Sequence, residues 1–185
     1  MARLIMWNLM TLDGFMEGPG RDLSWHMDVW GEELEKLSIE QLKAAGGLMF
    51  GRVTYDLMAN YWPNETGDEA EVAGFMNRLP KFVFSCTLTS SNWSNTRLFG
   101  SDLAGTVAGL KRETAKDIFI FGSAVLCGEL MPHGLIDEYR IGICPVVLGN
   151  GTPLFKPAAE RVRLKLTDSR SLSTGIVINR YVPQA

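Results

Sequence analysis

Histidine is scarce in this sequence. Only His26 and His133 occur among 185 residues, too few for a multi-histidine metal centre, and no metal is expected. Three cysteines, Cys86, Cys127 and Cys144, make an odd set without the close pairs of a zinc site. They read as reduced thiols of a cytoplasmic protein. No apolar run is long enough to cross a bilayer. The apolar start breaks at Asn8 and again at Asp13, unlike a signal peptide. Basic residues are not in excess: Lys and Arg number 18 against 21 Asp and Glu, a net charge of -3. They are also scattered, which argues against a nucleic-acid surface. There is no internal repeat, low-complexity tract or interdomain linker. No Ser–His–Asp set, glycosidase-type carboxylate pair or P-loop lysine can be argued from spacing.

What the chain does have is a core. Hydrophobic residues make up 46% and charged residues 21%, enough apolar surface to offset the entropy of ordering. The length suits one domain over residues 1–185. Arg3 to Met10 predicts a buried first strand, and Thr11 to Leu23, with its glycines, a loop. Trp30 to Ala45 carries Leu34, Leu37 and Leu42 at helical spacing and ends at Gly46-Gly47. Glu32, Glu33, Glu35 and Glu40 form its solvated face. Leu48 to Phe50 is a short strand, followed by helices over Val53 to Asn60 and Gly67 to Leu79. Strands over Lys81 to Ser85 and Arg97 to Phe99 precede a helix over Asp102 to Glu113. A strand over Asp117 to Phe121 leads into a helix through Leu130. Three strands close the chain: Leu135 to Val147, Arg161 to Ser171 and Ile176 to Val182. Alternating strands and helices followed by strands alone predict an α/β sheet, mainly parallel, with antiparallel C-terminal strands.

Two places pair a buried strand with an immediate helix. Phe50-Gly51-Arg52-Val53-Thr54 offers free helix-start amides, a glycine that lets phosphate approach, and a permanently charged guanidinium. An ordinary strand–helix turn with a surface arginine explains the same residues. Phe121-Gly122-Ser123-Ala124-Val125 repeats the pattern, or is a tight helix start. In an open α/β sheet, ligands sit beyond the carboxyl ends of the strands, where both turns would lie. Ser85 and Thr87 follow a strand end, to hold a phosphate or ribose oxygen or simply to cap the strand. Asp13, beside Gly14, orients a substrate or stabilises a turn, and its loop could act as a lid. Pro145 to Gly151 must turn, with nothing more to be read from it. Trp25, Trp30 and Trp62 read as core before pocket. His26 reads as an exposed loop residue, as does His133.

In order, the segments Thr11-Leu12-Asp13-Gly14, Gly51-Arg52-Val53-Thr54-Tyr55, Phe84-Ser85-Cys86-Thr87, Ile120-Phe121-Gly122-Ser123, Gly134-Leu135-Ile136-Asp137-Glu138 and Pro145-Val146-Val147-Leu148-Gly149-Asn150-Gly151 resemble one family. It comprises the C-terminal reductase domain of bifunctional riboflavin-biosynthesis enzymes and its stand-alone relatives. The resemblance covers nearly the whole chain. It implies a dihydrofolate-reductase-like three-layer fold with NADPH across the strand ends. Position by position, it implies that Gly51, Arg52 and Thr54 form the cofactor-phosphate turn. Ser85 would lie near the adenosine 2′-phosphate, and Gly122, Ser123, Ala124 and Val125 would hold the pyrophosphate. Asp13, the candidate catalytic residue, and Gly14 match a loop near the nicotinamide. The family's reaction reduces the ribosyl group of 5-amino-6-(5-phosphoribosylamino)uracil. A homodimer through C-terminal strands is also implied. Relatives often carry arginine where this chain has Cys86, which bears on NADPH against NADH. The rival expectations are dihydrofolate reductase activity and a nucleotide-binding module without turnover.

Overall fold

In the computed structural model, which describes residues 1–156 and 161–184, the centre is a run of strands buried on both faces. In β1 (Leu4–Thr11), Leu4 and Met6 face one apolar cluster while Ile5 and Trp7 face the other. The same alternation recurs in β3 (Ala45–Gly51) and β6 (Asp117–Phe121), where Met49, Ile118 and Ile120 oppose Leu48, Phe50 and Phe119. Successive side chains point to opposite faces, so a strand covered on both sides must be apolar throughout. The helices supply the covers. Leu34, Leu37 and Leu42 of α1 (Glu32–Ala44), Tyr55 of α2 (Arg52–Tyr61) and Val72 and Met76 of α3 (Ala70–Arg78) pack on one face. Val107 and Leu110 of α4 (Leu103–Glu113) and Leu126, Cys127 and Leu130 of α5 (Ala124–Leu130) pack on the other. Three layers result.

The sheet also contains β4 (Lys81–Phe84), β5 (Thr96–Phe99), β7 (Glu138–Cys144), β9 (Leu164–Ser171) and β10 (Val177–Pro183). Its order is β5-β4-β3-β6-β1-β7-β10-β9. The first six strands are mutually parallel, and β10 runs antiparallel to both β7 and β9. From β1 the chain crosses over β6 to reach β3, and from β6 it crosses over β1 to reach β7. The adjacent pair β1–β6 is therefore the point where chain direction across the sheet reverses, the usual place for a ligand in an open α/β sheet.

The structure corrects some boundaries. Gly46 and Gly47 do not end the first helix in a turn; they lie inside β3. A Cβ at Gly46 would sit 2.7 Å from Thr114 Cγ2, and one at Gly47 2.5 Å from the Phe82 ring. Close approach of the end of α4 at Gly46 and of a side chain of the neighbouring strand β4 at Gly47, and not chain reversal, requires glycine there. The expected loop from Thr11 to Leu23 contains β2 (Phe15–Glu17), which pairs antiparallel with β8 (Thr152–Pro153) in a small separate ribbon. The strand expected over Leu135 to Val147 is shorter at both ends. Among the described residues, no helix is long and apolar enough to cross a membrane. Nor does any group of three or more His, Cys, Asp or Glu stand ready to hold a metal.

Candidate functional site

The turn after β6 ties the three central strands together at their carboxyl ends. Gly122 and Ser123 both adopt left-handed backbone angles, φ 61° and 62°. That conformation suits glycine and strains serine, and side-chain bonds hold it. The Ser123 amide donates to Thr54 Oγ1 at 3.0 Å, and the Gly51 amide donates to Ser123 Oγ at 3.0 Å. From β1, Asn8 Nδ2 donates to the Gly122 carbonyl at 3.2 Å. Asn8, Thr54 and Ser123 are all buried polar residues. The first intrahelical bond of α5 runs from Cys127 N to Ser123 O. The amides of Ala124, Val125 and Leu126 precede it and have no intrahelical acceptor. A Cβ at Gly51 would make only ordinary contacts, 3.5 Å to Leu126 Cβ and 3.8 Å to Ser123 Cβ.

Next to this turn lies a polar rim. Arg52, the first residue of α2, donates from Nε to Asp56 Oδ2 at 2.6 Å and from Nη1 to Thr87 Oγ1 at 3.3 Å. Its spacing to Asp56 is one helical turn. Ser85 Oγ accepts the amides of Thr87 and Leu88 at 3.2 and 3.0 Å, so it organises the turn after β4. Cys86 is exposed and donates its thiol to the Gly100 carbonyl at 3.4 Å. The site residues inferred from sequence on β3, β4 and β6 therefore meet on one edge of the sheet.

Asp13 stands at the other end of that edge. Its Oδ1 accepts the Thr11 hydroxyl at 2.6 Å and the Leu148 amide at 3.3 Å; its Oδ2 accepts the Gly149 amide at 2.7 Å. The Thr11 hydroxyl, ahead of the two backbone amides, holds this carboxyl below the usual carboxylate range. Through these bonds Asp13 joins the Pro145 to Gly151 segment to the loop after β1.

Two residues of this region escaped the sequence reading. Asn8 carries a signal in hindsight, a lone amide inside an apolar strand. Asp56 carries another, a carboxylate four residues after Arg52. His26 departs from expectation. It is largely buried against Trp25, ring centroids 4.1 Å apart, and its Nε2 has no partner. Burial lowers its pKa to about 4, so the ring is neutral at pH 7. Trp25 is core, 3% exposed. The thiols of Cys127 and Cys144 are pushed up to about 12 by burial, which makes them inert.

The comparisons agree with this architecture. The profile of the RibD C-terminal domain matches residues 2–178. The uncharacterized protein YyaP of Bacillus subtilis (strain 168) is 34% identical over 178 residues, 95% of this chain and 92% of that protein. Among solved structures, a Shewanella sp. PV-4 protein assigned to riboflavin biosynthesis superposes with a TM-score of 0.81 at 20% identity, over the whole of both chains. A Thermotoga maritima diaminohydroxyphosphoribosylaminopyrimidine deaminase/5-amino-6-(5-phosphoribosylamino)uracil reductase gives 0.71 at 14% identity. It is matched over 99% of this chain and 57% of that one. Enterococcus faecalis dihydrofolate reductase, complexed with NADP(H), gives 0.65 at 13% identity, over 99% and 97%. The fold is thus dihydrofolate-reductase-like, and the chain belongs to the RibD C-terminal domain family.

Proposed function

We propose that this protein is an NADPH-dependent reductase of a small heterocyclic substrate, with 5-amino-6-(5-phosphoribosylamino)uracil as the leading candidate. One observation carries the reading. The left-handed Gly122–Ser123 turn is locked between Thr54, Gly51 and Asn8 at the switch point of the sheet, with Arg52 and the Ser85–Thr87 hydroxyls beside it. The donor set fits a dinucleotide phosphate. Unpaired amides precede the first bond of α5, Gly51 leaves room for close approach, and the guanidinium of Arg52 keeps donors beyond those used by Asp56 and Thr87. The named activity of the Thermotoga enzyme and the NADP(H) of the Enterococcus enzyme support the same reading.

In this mechanism the bound cofactor supplies the hydride. The chain's residues do the remaining work. Gly122 to Val125 would hold the pyrophosphate, Arg52 and Ser85 the adenosine 2′-phosphate, and the loops around Asp13 would shield the reacting end from water. Catalysis would come from positioning and polarisation. The dihydrofolate reductase alternative needs a carboxylate facing the pterin. Among the described residues the one buried carboxylate is Glu138, and it is committed to Arg3 and Arg140 at 2.7 and 2.5 Å. Of the carboxylates in the segment before and within α1, Asp28 and Glu32 are exposed and Glu35 is half-buried. The same reading includes a homodimer through β9, which among the described residues ends the sheet with an unpaired edge and carries Leu166 at 51% exposure. Sedimentation at micromolar concentration would show a dimer, and a monomer would refute this part.

The test is titration with NADPH and NADH side by side, followed by energy transfer from tryptophan. NADPH is expected to bind far more tightly. Arg52→Ala should weaken NADPH by about 10- to 150-fold, the worth of a charge-assisted hydrogen bond of roughly 1.5–3 kcal/mol, and leave NADH little changed. Equal binding of both cofactors would remove the 2′-phosphate assignment. No binding of either would overturn the reductase reading, and binding without any turnover would favour a nucleotide-binding module.

A further inference from the structure

We propose that Asp13 is a latch that fastens the loops after β1 and β7 into one flap at the carboxyl end of the sheet, and that it is a positioning residue and not the proton donor. The proposal deepens the reductase reading and rests on it for what the flap covers.

The geometry of the flap is that of a short ladder. At its base, β1 and β7 lie side by side, with Thr11 registered against Cys144. The two chains leave the sheet together, and the Leu12 amide donates to the Val146 carbonyl at 2.8 Å. At its far end, β2 pairs with β8, Phe15 opposite Pro153 and Glu17 opposite Thr152. There the Thr152 hydroxyl donates to Glu17 Oε1 at 2.8 Å, and the Leu154 amide donates to the Gly14 carbonyl at 2.9 Å. Between base and far end no strand pairing is recorded. Asp13 fills that gap, taking the Leu148 and Gly149 amides while the Thr11 hydroxyl fixes its orientation. Thr11 is itself held, since its Oγ1 accepts the Phe15 amide at 3.0 Å.

The chemistry of this carboxylate argues against proton donation. Both oxygens already accept hydrogen bonds, three in all. Protonation would occupy the one remaining lone-pair position, on Oδ2, and weaken both oxygens as acceptors for the Leu148 and Gly149 amides and the Thr11 hydroxyl. The acceptor-only form is the one that suits all its neighbours. Leu12 and Val147 are large apolar residues of the flap, 65% and 69% exposed. They flank the latch on the two chains and would close over a ligand when the flap moves as a unit.

The experiment uses the full chain and three variants: Asp13→Ala, Asp13→Asn and Thr11→Val. The last removes the orienting hydroxyl and leaves the carboxylate in place. Amide hydrogen exchange is followed by mass spectrometry without ligand, and NADPH dissociation by stopped flow. In Asp13→Ala and Thr11→Val, peptides covering 12–17 and 145–151 should exchange at least ten-fold faster, with β3 and β6 unchanged. NADPH should leave several-fold faster. Asp13→Asn keeps one acceptor oxygen, so it should fall between wild type and Asp13→Ala. Unchanged exchange of 145–151 in both latch-breaking variants would overturn the proposal. So would faster exchange that spreads equally to β3 and β6, or faster loop exchange with unaltered NADPH release. The exchange measurement needs no ligand. A wild-type protein that fails to bind NADPH therefore defeats the reductase reading, while the exchange data still judge the latch.

Discussion

Thr54 illustrates how one hydroxyl can hold a site together. Its Oγ1 is the acceptor for the Ser123 amide in a buried place. Thr54→Val keeps the shape and leaves that amide unpaired, at a cost of about 1–3 kcal/mol. Thr54→Ser keeps the acceptor and should lose much less. Urea unfolding of the two variants would separate the hydroxyl from the methyl. His26 gives a pH dependence of definite sign. Its pKa falls from 6.5 to about 4 through burial, so below pH 6.5 the unfolded chain takes up a proton that the folded chain refuses. Stability is therefore intact above pH 6.5 and is lost as pH falls toward 4, by on the order of 3 kcal/mol in full. His26→Phe should remove most of that slope in urea midpoints measured at pH 7.5 and 5. An unchanged slope would show that other groups carry the acid sensitivity. Neither residue's environment was legible in the sequence. The sequence shows Thr54 only as a hydroxyl in the expected cofactor-phosphate turn, and His26 reads as exposed because nothing local shows what packs around it.

At the scale of elements, most strands and helices were readable, because hydrophobic period follows from which faces are covered. β6 carries the expected limits, and α4 differs only in that its N-cap, Asp102, was counted as its first residue. Asp102 accepts the Gly105 amide at 3.0 Å as the cap. The misread elements have tertiary causes. β3 extends through Gly46 and Gly47 because Thr114 and Phe82 press against it. β2 exists only by pairing with β8, more than a hundred residues away. Lys81 opens β4 fully buried, donating to the Met76 and Asn77 carbonyls of α3 at 3.0 and 2.7 Å, above the Trp93 ring. A lysine at a strand start gives no sign of that. The β6–α5 turn yields a sharp prediction. A Cβ at Gly122 would meet Thr54 Cγ2 at 3.0 Å and Oγ1 at 3.2 Å, on a backbone of φ 61°. Gly122→Ala therefore strains the backbone by roughly 1–2 kcal/mol and pushes on the Ser123–Thr54 bond. NADPH affinity should fall together with stability, whereas Gly128→Ala, with open space around its Cβ, should leave both near wild type.

For the whole molecule, the sequence by itself determined the class of fold and the candidates for phosphate contact. Apolar runs such as Leu4 to Trp7, too short for a helix of ordinary length, suit strands covered on both faces. Small residues following a buried strand must turn before the next helix. Those are local consequences of period, size and backbone freedom. The tertiary structure decided the rest. It placed the turn after β6 between β3 and β1, so that Asn8 from β1, Gly51 from β3 and Thr54 from α2 each bond to Gly122 or Ser123 across 69 to 114 residues of sequence. It also turned Asp13 away from a free carboxylate and into the bond between two loops. Strand order is set by which crossovers close the core, a property of the whole chain, and no single segment encodes it.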